Sequence, residues 1–170
     1  MEKVTTKAQE LLDEAEKGFG FVPNVLKELA VSPETLDLYL SGTKIMNDTV
    51  LDEREKQMVI LAVSTYNGCG YCKAAHGMVA KKAGASHGDI EAVKNKTPLK
   101  NERDQHLVDA TFHTLEKKGR LSADDLKEFE DWGIDRRQVF EIVGIIALKT
   151  ITNYANHIAH TDLDDVFKQG

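Results

Sequence analysis

Helix start and stop signals recur along this chain at helix-length intervals and leave little room for any other secondary structure. In "SPET", Ser32 is placed as an N-cap with Pro33 at the first helical position, ahead of Leu36, Tyr39 and Leu40. "DERE" opens another helix, running through Val63, with an Asp52 cap and Glu55 three residues on. At that spacing each side chain can satisfy the other's backbone N–H. Ser86 in "SHGD" and Ser122 in "SADD" repeat the device. Val4, Ala8, Leu11, Leu12 and Ala15 recur at three and four up to a stopping Gly18, and Gly84, Gly119 and Gly133 stand where further helices should end. The one hairpin-type dipeptide, Asn67-Gly68, lies between two helical patterns and reads as a break between helices. "RRQVFEIVGIIALKTITNYANHIAH" is the longest apolar segment and predicts a central buried helix, bent near Thr152 and Asn153. The fold class expected is all-α, a single helical domain over residues 1–170.

Composition closes off several functions. A net charge of −6 with no densely basic stretch lacks the electrostatic footprint of a nucleic-acid binder. The longest apolar runs, "MVILAV" and "VGIIAL", are too short to span a bilayer. The charged, amphipathic start "MEKVTTKAQELL" lacks the apolar core of a secretory signal. The expectation is a cytoplasmic protein with neither a nucleic acid nor a membrane as partner. In that reducing compartment a lone structural disulfide is unusual, so the two cysteines point to catalysis or metal binding.

Both cysteines lie in "NGCGYCKAAH", with a histidine four residues after the second. If Asn67-Gly68 ends one helix, Cys69 falls at the start of the next, where unpaired N–H groups and the helix dipole favour a thiolate. At about 100° per residue, Cys69, Cys72 and His76 share a sector of roughly 60°. Cys72 and His76 are neighbours one turn apart. His76 can take a thiol proton and remain as imidazolium, and a second thiol can resolve the oxidised sulfur. Spacing leaves open which cysteine attacks: the dipole argues for Cys69, the imidazole for Cys72. Two other readings stand beside this one. A zinc site would need a fourth ligand folded back from His106, His113, His157 or His160, and the pair could also be buried structural cysteines beside an incidental histidine.

A second segment echoes the first at an offset of 84 residues, so that Gln57, Cys69, Cys72 and His76 map onto Glu141, Asn153, Asn156 and His160. Residues 57–76 and 141–160 would then be two related helical halves.

"LAVSTYNGCGYCKAAH" resembles the core motif of the alkylhydroperoxidase AhpD-like, or carboxymuconolactone decarboxylase-like, proteins. "GFGFVPNVLKELAVSPETLDLY" and "NYANHIAHTDLDDVF" are similar to that family's opening and closing segments. The resemblance implies a helical bundle, a homo-oligomer (trimer or hexamer) and an antioxidant oxidoreductase that reduces a hydroperoxide or disulfide substrate. Cys69 and Cys72 would be its redox pair and His76 its relay. A dithiol or lipoylated protein would be the donor, and a peroxiredoxin a further partner. No cofactor and no metal are called for, since sulfur holds both electrons. Two positions depart: Gln57 stands where such motifs commonly carry glutamate, and Tyr71 where a histidine can stand. Glutamine cannot pass a proton at neutral pH, so the expectation is that Glu55 or Glu141 orients His76. The plainer alternative is that Glu55 only caps its helix and Gln57 holds His76 without proton transfer. Less favoured functions are a non-catalytic redox sensor, a zinc-binding module, and decarboxylation of a carboxymuconolactone.

Overall fold

The computed structural model describes residues 5–168, so Val4 of the first apolar repeat lies outside the described residues. Among these residues there are nine α-helices and no strand: α1 (Thr6–Phe19), α2 (Asn24–Leu29), α3 (Pro33–Ile45), α4 (Glu53–Tyr66), α5 (Gly70–Lys82), α6 (His87–Asn95), α7 (Glu102–Glu116), α8 (Ala123–Asp131) and α9 (Arg136–Ala159). The all-α expectation holds.

The punctuation works as its chemistry requires. Ser32 Oγ accepts from Thr35 N, and Asp52 and Glu55 form a reciprocal capping box, with Glu55 N donating to Asp52 at 2.8 Å and Asp52 N to Glu55 at 3.0 Å. Ser86 and Ser122 cap α6 and α8. The stop after α1 is two residues later than predicted. Gly20, not Gly18, takes the left-handed backbone (φ 79°) that turns its N–H back onto Glu16.

Two of three apolar clusters meet on α4. Val59 packs with Leu107, Phe129, Ile142 and Ile145 of α7, α8 and α9. Met58, Leu61 and Ala62 pack with Ala80, Ile90, Val93 and Val108 of α5, α6 and α7. A third cluster joins α1, α2 and α3 through Ala8, Leu12, Val25, Leu26 and Leu36. Eight residues of α4, from Gln57 to Thr65, are buried, so α4 and not α9 is the central helix. α9 is continuous over 24 residues, but only one stripe is covered, through Ile142, Ile145, Lys149, Thr152, Asn153 and Asn156. Phe140, Val143, Tyr154 and Ile158 stay exposed. Its apolar residues run all the way round, which made it look central; its position at the edge leaves half of them uncovered. No helix among the described residues is long and apolar enough to cross a membrane.

Candidate active site

The site is built at the elbow between α4 and α5. The N–H of Gly68 returns to Thr65 O at 3.1 Å and that of Cys69 to Ser64 O at 2.9 Å, the two bonds that close a helix end through a left-handed residue. That residue is Gly68, at φ 73°. The turn delivers Cys69 as the N-cap of α5, where its Sγ accepts from Cys72 N at 3.3 Å. The two sulfurs therefore face each other across the first turn, both free and both almost fully buried.

Their surroundings separate them. Asn156 Nδ2 donates to Cys72 Sγ at 3.2 Å and lies 3.7 Å from Cys69 Sγ. The Cys69 thiol donating to the Cys72 sulfur, together with the positive charge of Lys149, holds Cys72 down at about 6, while the same sharing and burial push Cys69 up. The direction of both shifts favours the thiolate on Cys72 and the proton on Cys69.

His76 is held at both ring nitrogens. Nδ1 lies 2.8 Å from Gln57 Oε1, and Nε2 lies 2.8 Å from Lys149 Nζ. Gln57 Nε2 donates to Glu53 Oε1 at 2.7 Å, which leaves its Oε1 as the acceptor for His76. The ring is therefore the Nδ1–H tautomer, accepting at Nε2 from the Lys149 ammonium. Burial, reinforced by that ammonium, pushes His76 well below its ordinary value. The imidazolium assigned to His76 from the sequence is not the form these neighbours favour; the cation beside the thiols is Lys149. Lys149 is 4% exposed and also donates to Tyr39 Oη at 3.1 Å.

A cavity of about 580 Å³ opens onto Cys72, His76 and Lys149, walled by Phe19, Phe21, Tyr39, Tyr71, Val166 and Phe167. Cys69 does not line it. The aromatic roof is pinned by the chain's final segment. Phe167 packs edge-on against Phe21 and Tyr71, and Tyr71 Oη donates to Asp164, which also accepts from Asn24 N at the start of α2. A second cavity, of about 330 Å³, reaches His76 and Lys149 from the other side, past Glu53 and Gln57.

Cys69, Cys72, His76 and Gln57 are thus brought together, whereas Glu55 and Glu141 are not. Glu55 is occupied by Arg103 Nε at 2.8 Å and by the capping box, on the face of α4 away from His76. Glu141 accepts from Val50 N and Arg137. Neither orients His76; the partner is Gln57, backed by Glu53. The remaining histidines stand apart: His106 stacks on Trp132, and His113 packs against Trp132 and Phe129. His157 and His160 are exposed at the end of α9. With both His76 nitrogens already bonded, the triplet does not converge as a set of metal ligands. Sequence reasoning missed Lys149, Tyr39 and Glu53, and took Asn153 and Asn156 only as an echo.

Comparison with known proteins bears on this geometry. The model of the carboxymuconolactone decarboxylase family matches residues 33–95, the stretch that carries Gln57, both cysteines and His76. No curated protein matches the sequence. Among solved structures, an alkylhydroperoxidase AhpD-core, uncharacterized peroxidase-related protein from Ralstonia eutropha JMP134 superposes with a TM-score of 0.84 at 20% identity, covering 98% of this chain and 93% of that one. The fold is AhpD-like. An uncharacterized peroxidase-related protein from Silicibacter sp. TM1040 gives 0.81 at 20% identity over 98% and 90% of the two chains. The debrominase Bmp8 gives 0.76 at 17% identity over 96% and 89%. The segment that the carboxymuconolactone decarboxylase family model matches contains the α4–α5 elbow of this AhpD-like fold.

Proposed function

We propose that this protein is a thiol-dependent oxidoreductase that reduces organic hydroperoxides, with Cys72 attacking and Cys69 resolving. The observation that carries the reading is the aromatic-walled cavity of about 580 Å³ opening on Cys72 while Cys69 lies behind it. The Cys72 thiolate attacks the outer peroxide oxygen and the O–O bond breaks. The alkoxide leaves as the alcohol after taking a proton, and Cys72 becomes a sulfenic acid. The Cys69 sulfur then attacks Cys72, the S–S bond forms, and the hydroxyl leaves as water with the Cys69 proton. In sum, one hydroperoxide and two thiols give an alcohol, water and a disulfide. An external dithiol resets the pair; the family resemblance supports a lipoylated protein in that role and a peroxiredoxin as a further partner. A homo-oligomer belongs to the same reading, supported by the exposed Phe140, Tyr154 and Ile158 of α9.

The test is turnover of an aromatic hydroperoxide with a dithiol donor. Cys72→Ser should abolish it. Cys69→Ser should consume one equivalent and stop, with one oxygen atom added to the protein mass. Sustained turnover by Cys69→Ser would sink the resolving role.

One observation favours a second reading. A variant of Bmp8 in complex with 2,3,4-tribromopyrrole superposes at 0.73, and the cavity wall here is aromatic enough to take a flat ring. The same two thiols would convert a carbon–bromine bond to carbon–hydrogen, releasing bromide and forming the disulfide. Bromide release from a bromoarene, with no hydroperoxide reduction, would select it.

A further inference from the structure

Among the described residues, no carboxylate pairs with the charge of Lys149. The residue is buried mid-α9. Its two hydrogen-bond partners, His76 Nε2 at 2.8 Å and Tyr39 Oη at 3.1 Å, are neutral, and the Tyr39 ring lies 5.3 Å from Nζ. An ammonium has three donors, and the third finds no hydrogen-bond partner among the described residues. A buried cation left this way is costly unless an anion stands near. Lys149 and Cys72 wall the same cavity.

We infer that Lys149 is the counter-ion of the Cys72 thiolate, and that this pairing makes the Cys69–Cys72 disulfide a strong oxidant. The inference rests on reading the cysteines as a redox pair, but not on a hydroperoxide being the substrate. When a dithiol reduces the disulfide, two electrons break the S–S bond. Cys72 leaves as the thiolate facing Lys149, Cys69 leaves with a proton, and the donor becomes a disulfide with release of its second proton. In the oxidised state Lys149 loses its anion. An interaction made only by the reduced form raises the potential of the couple.

The groups around the sulfur agree with this assignment. Facing Cys72 are Cys69 and Tyr71, both pushed up, and His76, pushed down. From α9 come Asn156 and Asn153, whose Nδ2 is buried without a hydrogen-bond partner while Asn67 holds its oxygen. Tyr39 of α3 faces Lys149, and Asp164 faces away, bonded to Tyr71. Of the shifted groups around the sulfur, Cys72 is the one drawn toward neutrality. The Cys69 thiol contributes most, by its hydrogen bond, and Asn156 adds another; among the described residues Lys149 supplies the full charge that acts on the sulfur.

The test is the equilibrium of the intact protein with dithiothreitol redox buffers, followed by alkylation and mass, for the wild type, Lys149→Met, Lys149→Gln and Lys149→Arg. Both neutral variants should shift the equilibrium toward the disulfide at least tenfold, about 30 mV for two electrons. Near neutral pH they should take up two protons per two electrons where the wild type takes up one. Lys149→Arg should stay close to the wild type. A folded neutral variant, either one, that keeps the wild-type equilibrium and proton count overturns the inference. Shifts as described in a protein that reduces no hydroperoxide would leave it standing and remove only the peroxidase reading.

Discussion

Placing a glutamate at position 57 tests the site's hydrogen-bond logic. Gln57 faces two ways, accepting from His76 Nδ1 at 2.8 Å and donating to Glu53 at 2.7 Å. In Gln57→Glu the second contact becomes oxygen against oxygen, and two ionised carboxylates cannot share that spacing. Glu53 has the freedom to yield, since its side chain is 54% exposed and already paired with Lys56 at 3.0 Å. The new carboxylate then sits against the His76 ring. A charge at that range raises a base by about 1–3 pKa units, or roughly 1.4–4 kcal/mol of preference for the imidazolium. That form cannot accept from Lys149, so the ammonium loses one of its two anchors. The assay is the ring titration of His76 by NMR, with peroxide reduction measured alongside. The wild-type ring should remain the neutral Nδ1–H form down past its ordinary 6.5. In Gln57→Glu it should titrate well above the wild type, and activity should fall. A wild-type His76 that titrates normally, or a variant ring that does not move, would refute the reasoning.

Four further outcomes are expected. Glu55→Gln and Glu141→Gln should reduce peroxide at wild-type rates, because neither carboxylate reaches His76; a deep loss in either would reopen the relay. Asn156→Leu should raise the pH midpoint of Cys72 alkylation from about 6, since it removes a 3.2 Å donor from the sulfur. Tyr71→Phe should cost about 1.5–3 kcal/mol through its lost bond to Asp164, read as a melting midpoint lower by roughly 3–12 °C, with faster amide exchange over residues 161–168. Finally, the reduced protein should lose stability as pH falls. Cys72 is depressed from 9.0 to about 6, so its contribution is complete above the ordinary thiol value and is lost as pH drops through the folded one. His76 is depressed as well, so below 6.5 the unfolded chain takes up a proton that the native ring refuses. The oxidised protein should lack the Cys72 part, and urea midpoints for the two forms across that window measure the difference.

Much of the fold was legible because helix capping is local chemistry: Ser32, Asp52, Ser86 and Ser122 each act within three residues of themselves. Gly20 was overlooked for Gly18 because composition alone does not say which of two glycines turns left-handed. The α4–α5 elbow was readable for the same local reason, and with it the thiol pair. What failed was long-range. Lys149 meets His76 across 73 positions, a contact that no spacing rule anticipates. A signal was present all the same: Lys149 is the only residue among Asp, Glu, Lys and Arg between Glu141 and Asp162. A lone cation in an apolar helix invites the question of what balances it. The preference for Glu55 or Glu141 failed because a relay was sought in carboxylates, whereas the structure uses an amide whose orientation Glu53 fixes.

Cys69 has a mechanical part as well as a chemical one. Its sulfur caps the first turn of α5, so the atom that would close a bond to Cys72 is also the one holding Cys72's amide proton. On the proposed redox reading, closing that bond would weaken the acceptor, so the first turn of α5 would feel the oxidation state of the pair. Oxidation state would then reach the backbone beneath the aromatic roof, in the very turn whose Tyr71 is tied to Asp164.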